Sequence, residues 1–204
     1  MNHKYIRKYK GKNGKWIYVY VENEKKRKTK VKDKFENMDV KDAANIIRND
    51  SVETLIYLNN YFKAVKSFSN NSEDSVKLND SDIKSVKKFK VTLHNHPKNS
   101  SFSLQDIMMA LHSKQIEMFV CSEKFDYHMK FDPEIDVDIN KFTKEYSYIN
   151  NRVHENFVDR INSNDMTIKE AELNHFHIVW NKMQKVFPDF IVSYSRTPVN
   201  REEL

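Results

Sequence analysis

Residues 94–106 read His94-Asn95-His96-Pro97-Lys98-Asn99-Ser100-Ser101-Phe102-Ser103-Leu104-Gln105-Asp106. They follow Lys90-Val91-Thr92-Leu93, a run with strand character. Side chains two apart on a strand share a face, so His94 and His96 aim at one point. Their spacing of about 6–7 Å along the strand is a span one ion bridges. Pro97 has no amide proton for a ladder and ends the strand. A polar loop follows, and Ser103 opens an amphipathic helix with Asp106 three residues in. Two nitrogens and one oxygen, with a fourth position open to water, are the donor set of a catalytic rather than a structural zinc. Ser103 and Asp106 also read as the N-cap and N3 acid of a capping box, which needs no metal.

Outward from this stretch the pattern alternates between strand and helix. Glu53-Thr54-Leu55-Ile56-Tyr57-Leu58 reads as a strand, Asn59-Asn60 as a turn, and Tyr61 to Phe68 as a second strand. Val76-Lys77-Leu78 pairs briefly, and a short helix starts after Asn79 or Asp80 and covers Ser81 to Lys88. Leu104 to His112 is a helix, then Ile116 to Cys121 and Tyr127 to Phe131 form an antiparallel pair. Helices follow over about 141–162 and 167–186, with Pro188 closing the second. The tail from Ile191 carries a short apolar run and then polar residues. Upstream, Asp39 to Arg48 is a short helix. The expected fold class is α/β (α+β), a curved mixed sheet flanked by helices. The expected organisation is a basic hairpin and linker over 1–34, a metal-binding domain over 35–140 and a C-terminal helical extension over 141–204.

Residues 4–21 read as a β-hairpin. Tyr5, Arg7 and Tyr9 alternate before Gly11-Lys12-Asn13-Gly14, and Trp16, Tyr18 and Tyr20 alternate after it. Residues 1–34 hold 13 basic and 3 acidic side chains, a net +10, so the formal +6 of the chain leaves about −4 for the rest. A basic arm with interleaved aromatics suits a polyanion such as nucleic acid, and equally suits a hairpin with a solvated lysine face. The single cysteine, Cys121, lies in the apolar run Met118-Phe119-Val120-Cys121. That excludes an internal disulfide framework and a cysteine-rich zinc site, and suits a reducing cytoplasm. No stretch approaches the ~18 apolar residues of a membrane span, and no signal-peptide pattern is present.

The combination His94-Asn95-His96-Pro97 and Ser103-Leu104-Gln105-Asp106 resembles the JAMM (JAB/MPN) metallopeptidase signature. That signature is an upstream Glu, then His-x-His-Pro, a short loop and Ser-x-x-Asp. The order of elements over about residues 52–131 is similar as well. The loop between His96 and Asp106 holds nine residues where the common pattern has ten, the change falling before Ser103. This compact form looks like that of phage and mobile-element members. The resemblance implies that His94, His96 and Asp106 bind Zn²⁺ and that Glu53 is the general base toward the zinc-bound water. Ser103 would support the oxyanion, and the substrate would be a protein or peptide cleaved at a peptide or isopeptide bond. The place of action implied is a bacterial host cytoplasm, with virion association. The alternative is a JAMM-like fold without activity, an interaction protein whose basic arm binds nucleic acid or a virion partner. Of the remaining histidines, His112, His128, His154, His175 and His177 read as structural or surface; His175 and His177, two apart in a helix, do not share a face.

Overall fold

The computed structural model describes residues 5–10, 16–21, 33–70, 72–73 and 75–199. The chain divides into two units, Met1–Lys32 and Asp33–Leu204. In the first, β1 (Tyr5–Lys10) and β2 (Trp16–Val21) pair antiparallel, with Tyr5 opposite Val21 and Lys10 opposite Trp16. The Gly11–Gly14 turn and the basic run over 22–32 lie outside the described residues.

The second unit is a mixed six-stranded sheet flanked by helices. Its strands are β3 (Thr54–Leu58), β4 (Ala64–Ser69), β5 (Val91–Asn95), β6 (Glu117–Cys121), β7 (Phe125–Phe131) and β8 (Ile191–Pro198), in the order β4-β3-β5-β6-β7-β8. Only β5 and β6 are parallel, joined through α3 (Leu104–Ser113); every other pair is antiparallel. The helices α1 (Val40–Ile47), α2 (Asp80–Val86), α4 (Ile139–Asn162) and α5 (Ile168–Val186) complete the unit.

Strand alternation sorts the core into two faces. On one, Ala43, Ala44 and Ile47 of α1 meet Ile56, Leu58, Val91, Leu93 and Cys121. On the other, α3, α4 and α5 cover Met118, Val120, Tyr127, Met129 and Ile191, while Val86 of α2 covers Leu55 and Tyr57. His94 lies opposite Val120 on β6 and Leu55 on β3, so it belongs to this second face, between its two apolar clusters. The described residues 141–199 share this core, and their β8 forms the edge of the sheet beyond β7.

Three expectations change at their edges. The tail from Ile191 is the strand β8 rather than a short apolar run: one face of an edge strand is buried, through Ile191 and Tyr194, while Val192 and Ser195 point to solvent. The second strand begins at Ala64 rather than Tyr61. Asn59 Oδ1 accepts from the amides of Tyr61 and Lys63, and this local turn uses up 59–63 before pairing resumes. Residues 75–79 form no strand, so Val76-Lys77-Leu78 does not join a ladder.

Arg48, at the end of α1, ties that helix to the β6–β7 turn and the start of β7. It donates to both Asp126 carboxylate oxygens at 2.7 and 3.1 Å and to the Ser122 carbonyl at 2.7 Å. The guanidinium is buried, whereas Asp126 is half-exposed. Asp126→Ala therefore removes two charged hydrogen bonds but leaves the Ser122 carbonyl, and should cost roughly 1–2 kcal/mol. The measurement is urea unfolding, where the midpoint falls at constant m-value.

Candidate metal centre

His94 is the fourth residue of β5, and His96 lies one residue beyond its end, held by its amide donating to the Cys121 carbonyl at 2.9 Å. The side chains converge at the carboxyl end of β5, with Nε2 atoms 3.1 Å apart. Two carbonyls, Ser100 and Ser101, each stand 3.1 Å from His96 Nδ1. They fix the ring proton on Nδ1, so Nε2 keeps its lone pair, which is the tautomer a metal ligand needs.

Asp106 reaches the pair from the first turn of α3. Ser103 donates to its Oδ2 through both the backbone amide (2.7 Å) and the hydroxyl (2.8 Å), and the Asp106 amide donates back to Ser103 Oγ at 3.1 Å. The capping box is thus present, and it aims the carboxylate. Oδ1 lies 3.6 Å from His94 Nε2, and Oδ2 lies 3.5 Å from His96 Nε2. The Ser103 hydroxyl is engaged with Asp106, so its contact here is to a candidate ligand.

Glu53 immediately precedes β3. Antiparallel pairing of β3 with β5 brings the start of one to the end of the other, with Leu55 opposite His94. Glu53, His94 and His96 offer ligand atoms that all lie within 4.8 Å of one another. Its own amide donates to the Ser72 carbonyl at 2.7 Å, and its carbonyl accepts from Ser69 Oγ at 3.0 Å. Asn95, fully buried on the opposite face of β5, holds both neighbours: its Oδ1 accepts from the Thr54 amide at 2.8 Å and its Nδ2 donates to the Val52 carbonyl at 3.0 Å. Asn95 was legible only as the residue between two histidines, and its role rests on partners more than forty positions away.

The electrostatics follow from burial and crowding. Burial alone would lower the pKa of His94, but the Asp106 charge and hydrogen bond, with Glu53 behind them, outweigh it and raise it. Burial and the neighbouring His94 push His96 down to about 4, against Asp106 and the two carbonyls. Burial would raise the Asp106 carboxyl; the two imidazoles and the Ser103 amide win and hold it well below the usual carboxylate range.

The donor set fits a zinc ion. The two Nε2 atoms, 3.1 Å apart, are near the about 3.3 Å edge of a tetrahedron with ligand bonds of about 2.0–2.1 Å, and each has a different Asp106 oxygen at 3.5–3.6 Å. Two neutral imidazoles and the Asp106 carboxylate leave a dication with one positive charge, which the Glu53 carboxylate brings to zero. One feature departs from the usual pattern: His94 Nδ1 is buried with no hydrogen-bond partner among the described residues, whereas a ligating histidine commonly donates from its second nitrogen. The cluster faces an open cavity of about 360 Å³, lined also by Glu73, Lys98, Gln105 and Met109.

Two contacts from the C-terminal segment reach the loop before α3. Trp180 Nε1 donates to the Phe102 carbonyl at 2.6 Å, and Tyr194 OH lies 2.9 Å from Ser101 Oγ. No protein-family model matches the chain, and no curated protein matches it significantly. Among the described residues, no helix is long and apolar enough to cross a membrane.

Proposed function

We propose that this chain is a zinc-dependent hydrolase of the JAMM (JAB/MPN) kind, cleaving a peptide or isopeptide bond in a protein or peptide substrate. The observation that carries the reading is the convergence of His94, His96 and Asp106 at 3.1–3.6 Å, with Glu53 beside the histidines. The order of elements supports it: a Glu-led strand, a second strand, a helix, the His-x-His strand, the Ser-x-x-Asp helix and two further strands. His94, His96 and Asp106 hold the ion. Bound there, zinc supplies Lewis acidity, lowering the pKa of water and polarising a scissile carbonyl.

The remaining work falls to the chain. Glu53 takes the proton of the attacking water and delivers it to the leaving amine. Asn95 keeps Glu53 in place by fixing the backbone on either side of it. Ser103 orients Asp106, and supports the oxyanion when its hydroxyl turns toward substrate. The basic arm over 1–34 is assigned to a polyanionic partner, nucleic acid or a virion component, on its charge. The setting proposed is a bacterial cytoplasm, in keeping with a single, buried cysteine.

Metal analysis tests the centre. Protein purified under metal-replete conditions should carry about one zinc per chain, and His96→Ala should carry none. Wild-type protein without metal under those conditions would sink the hydrolase and leave an interaction protein.

A further inference from the structure

The loop between His96 and α3 does two jobs for the centre. The Ser100 and Ser101 carbonyls hold the Nδ1 proton of His96, and Ser103 aims Asp106. Both jobs depend on where the backbone of 100–103 lies. This polar loop, the seven residues 97–103, has many conformations, and neither carbonyl–imidazole contact fixes it from outside.

The fixing contacts come from far along the chain. Tyr194, on β8, is buried and hydrogen-bonds the buried Ser101 hydroxyl at 2.9 Å. Behind it stands His177 of α5, with Nδ1 3.0 Å from the same phenol oxygen. The Asn181 amide nitrogen lies 3.1 Å from His177 Nε2 and 3.5 Å from its Nδ1. Tyr194 thus stands between the Ser101 hydroxyl and the His177 ring, with Asn181 against the same ring. Burial, with Arg196 nearby, lowers the pKa of His177 to about 4, so the imidazole is neutral. One residue along, the Phe102 carbonyl is taken by Trp180.

We propose that Tyr194 is a positioning residue of the metal centre: through Ser101 it sets the carbonyls that orient His96, and the Asn181–His177 pair sets Tyr194. The proposal rests on the zinc reading above. It makes the helical C-terminal segment a structural part of the centre, in addition to any part in choosing substrate. Tyr194 does not touch the ion or the cavity, so its effect travels through Ser101 and His96.

Removing a partner of a ligating histidine lowers metal affinity by about 10–100-fold, and Tyr194 stands one link further out. Tyr194→Phe keeps the ring and deletes only the hydroxyl, so packing against Phe102 is retained. Zinc affinity is read by competition with a chromogenic chelator, well below the unfolding temperature, using Zn²⁺ alone. Tyr194→Phe should bind one zinc about tenfold more weakly than wild type, and so should Ser101→Ala. The double variant should be no weaker than either alone, because both cut the same link. Asp126→Ala, destabilised on the opposite face of the sheet, should bind as wild type does; a general loss of stability would weaken it as well. Wild-type affinity in Tyr194→Phe overturns this proposal and leaves the metal centre standing. Equal weakening in Asp126→Ala overturns it too, since the effect would then be one of stability. Wild-type protein that takes no zinc overturns the centre itself.

Discussion

Glu53→Gln should bind zinc as the wild type does and turn over substrate about 10²–10⁴-fold more slowly. Glutamine matches glutamate in shape but cannot take a proton from water. The backbone on both sides of residue 53 is held independently of its side chain, by Asn95, Ser72 and Ser69. The variant should therefore fold. The measurement pairs zinc content with turnover of any peptide or isopeptide substrate that the wild type cleaves. Two outcomes would redirect the assignment. Full activity would mean that another group is the base. Loss of zinc would mean that Glu53 is a ligand, since its carboxylate belongs to a set within 4.8 Å of both imidazoles. Asp106 is the other carboxylate in reach: its Oδ1 stands 3.6 Å from His94 Nε2 and its Oδ2 3.5 Å from His96 Nε2, and the capping box holds it there.

What the sequence made legible was local. His94 and His96 two apart on a strand, Pro97 as its stop, and Ser103 with Asp106 at a helix start are all periodicity or capping; the structure has the helix start and the strand, which ends at Asn95, one residue before His96. The strand behind Glu53 was readable for the same reason. Its pairing with the His94 strand is antiparallel, with Leu55 opposite His94. The capping box and the metal reading had looked like rivals for Ser103 and Asp106. They are compatible, because the hydrogen bonds that cap α3 also point the carboxylate at the histidines. The nine-residue loop delivers Asp106 to them.

The rest was illegible because it is made of contacts between distant positions. Asn95 looked like a spacer, and its partners are 41 and 43 residues upstream. Ser101 and Tyr194 are 93 residues apart, and Phe102 and Trp180 are 78 apart. β8 carries too few apolar residues to announce itself, since an edge strand buries a single face and half of its positions meet solvent. His177 was set aside as structural, and it does lie outside the centre. What spacing could not disclose is that its partner, Tyr194, reaches the centre's loop.

Trp180 is where the fold and the centre depend on the same side chain. It is fully buried, packs against Tyr146 with ring centroids 5.3 Å apart, and spends its one donor on the Phe102 carbonyl. Trp180→Ala should cost roughly 3–5 kcal/mol, through lost apolar burial and the cavity left among α4, α5 and the sheet. Domains of this size are commonly stable by about 5–15 kcal/mol, so the variant should lose a large part of its margin. Trp180→Phe weights the two contributions differently. It keeps one aromatic ring, loses the indole N–H with part of the ring volume, leaves a buried carbonyl short of a partner, and should cost roughly 1–3 kcal/mol. Urea unfolding of both variants provides the comparison, with m-values checked for two-state behaviour. If Trp180→Phe were as damaging as Trp180→Ala, the bond to Phe102 would outweigh the packing, and the loop before Ser103 would be the keystone of this core. If it were harmless, Phe102 would be held by packing alone, since its ring is itself fully buried. The intermediate result is expected because the ring fills space that nothing else reaches, whereas the hydrogen bond only replaces one that the carbonyl would otherwise make to water.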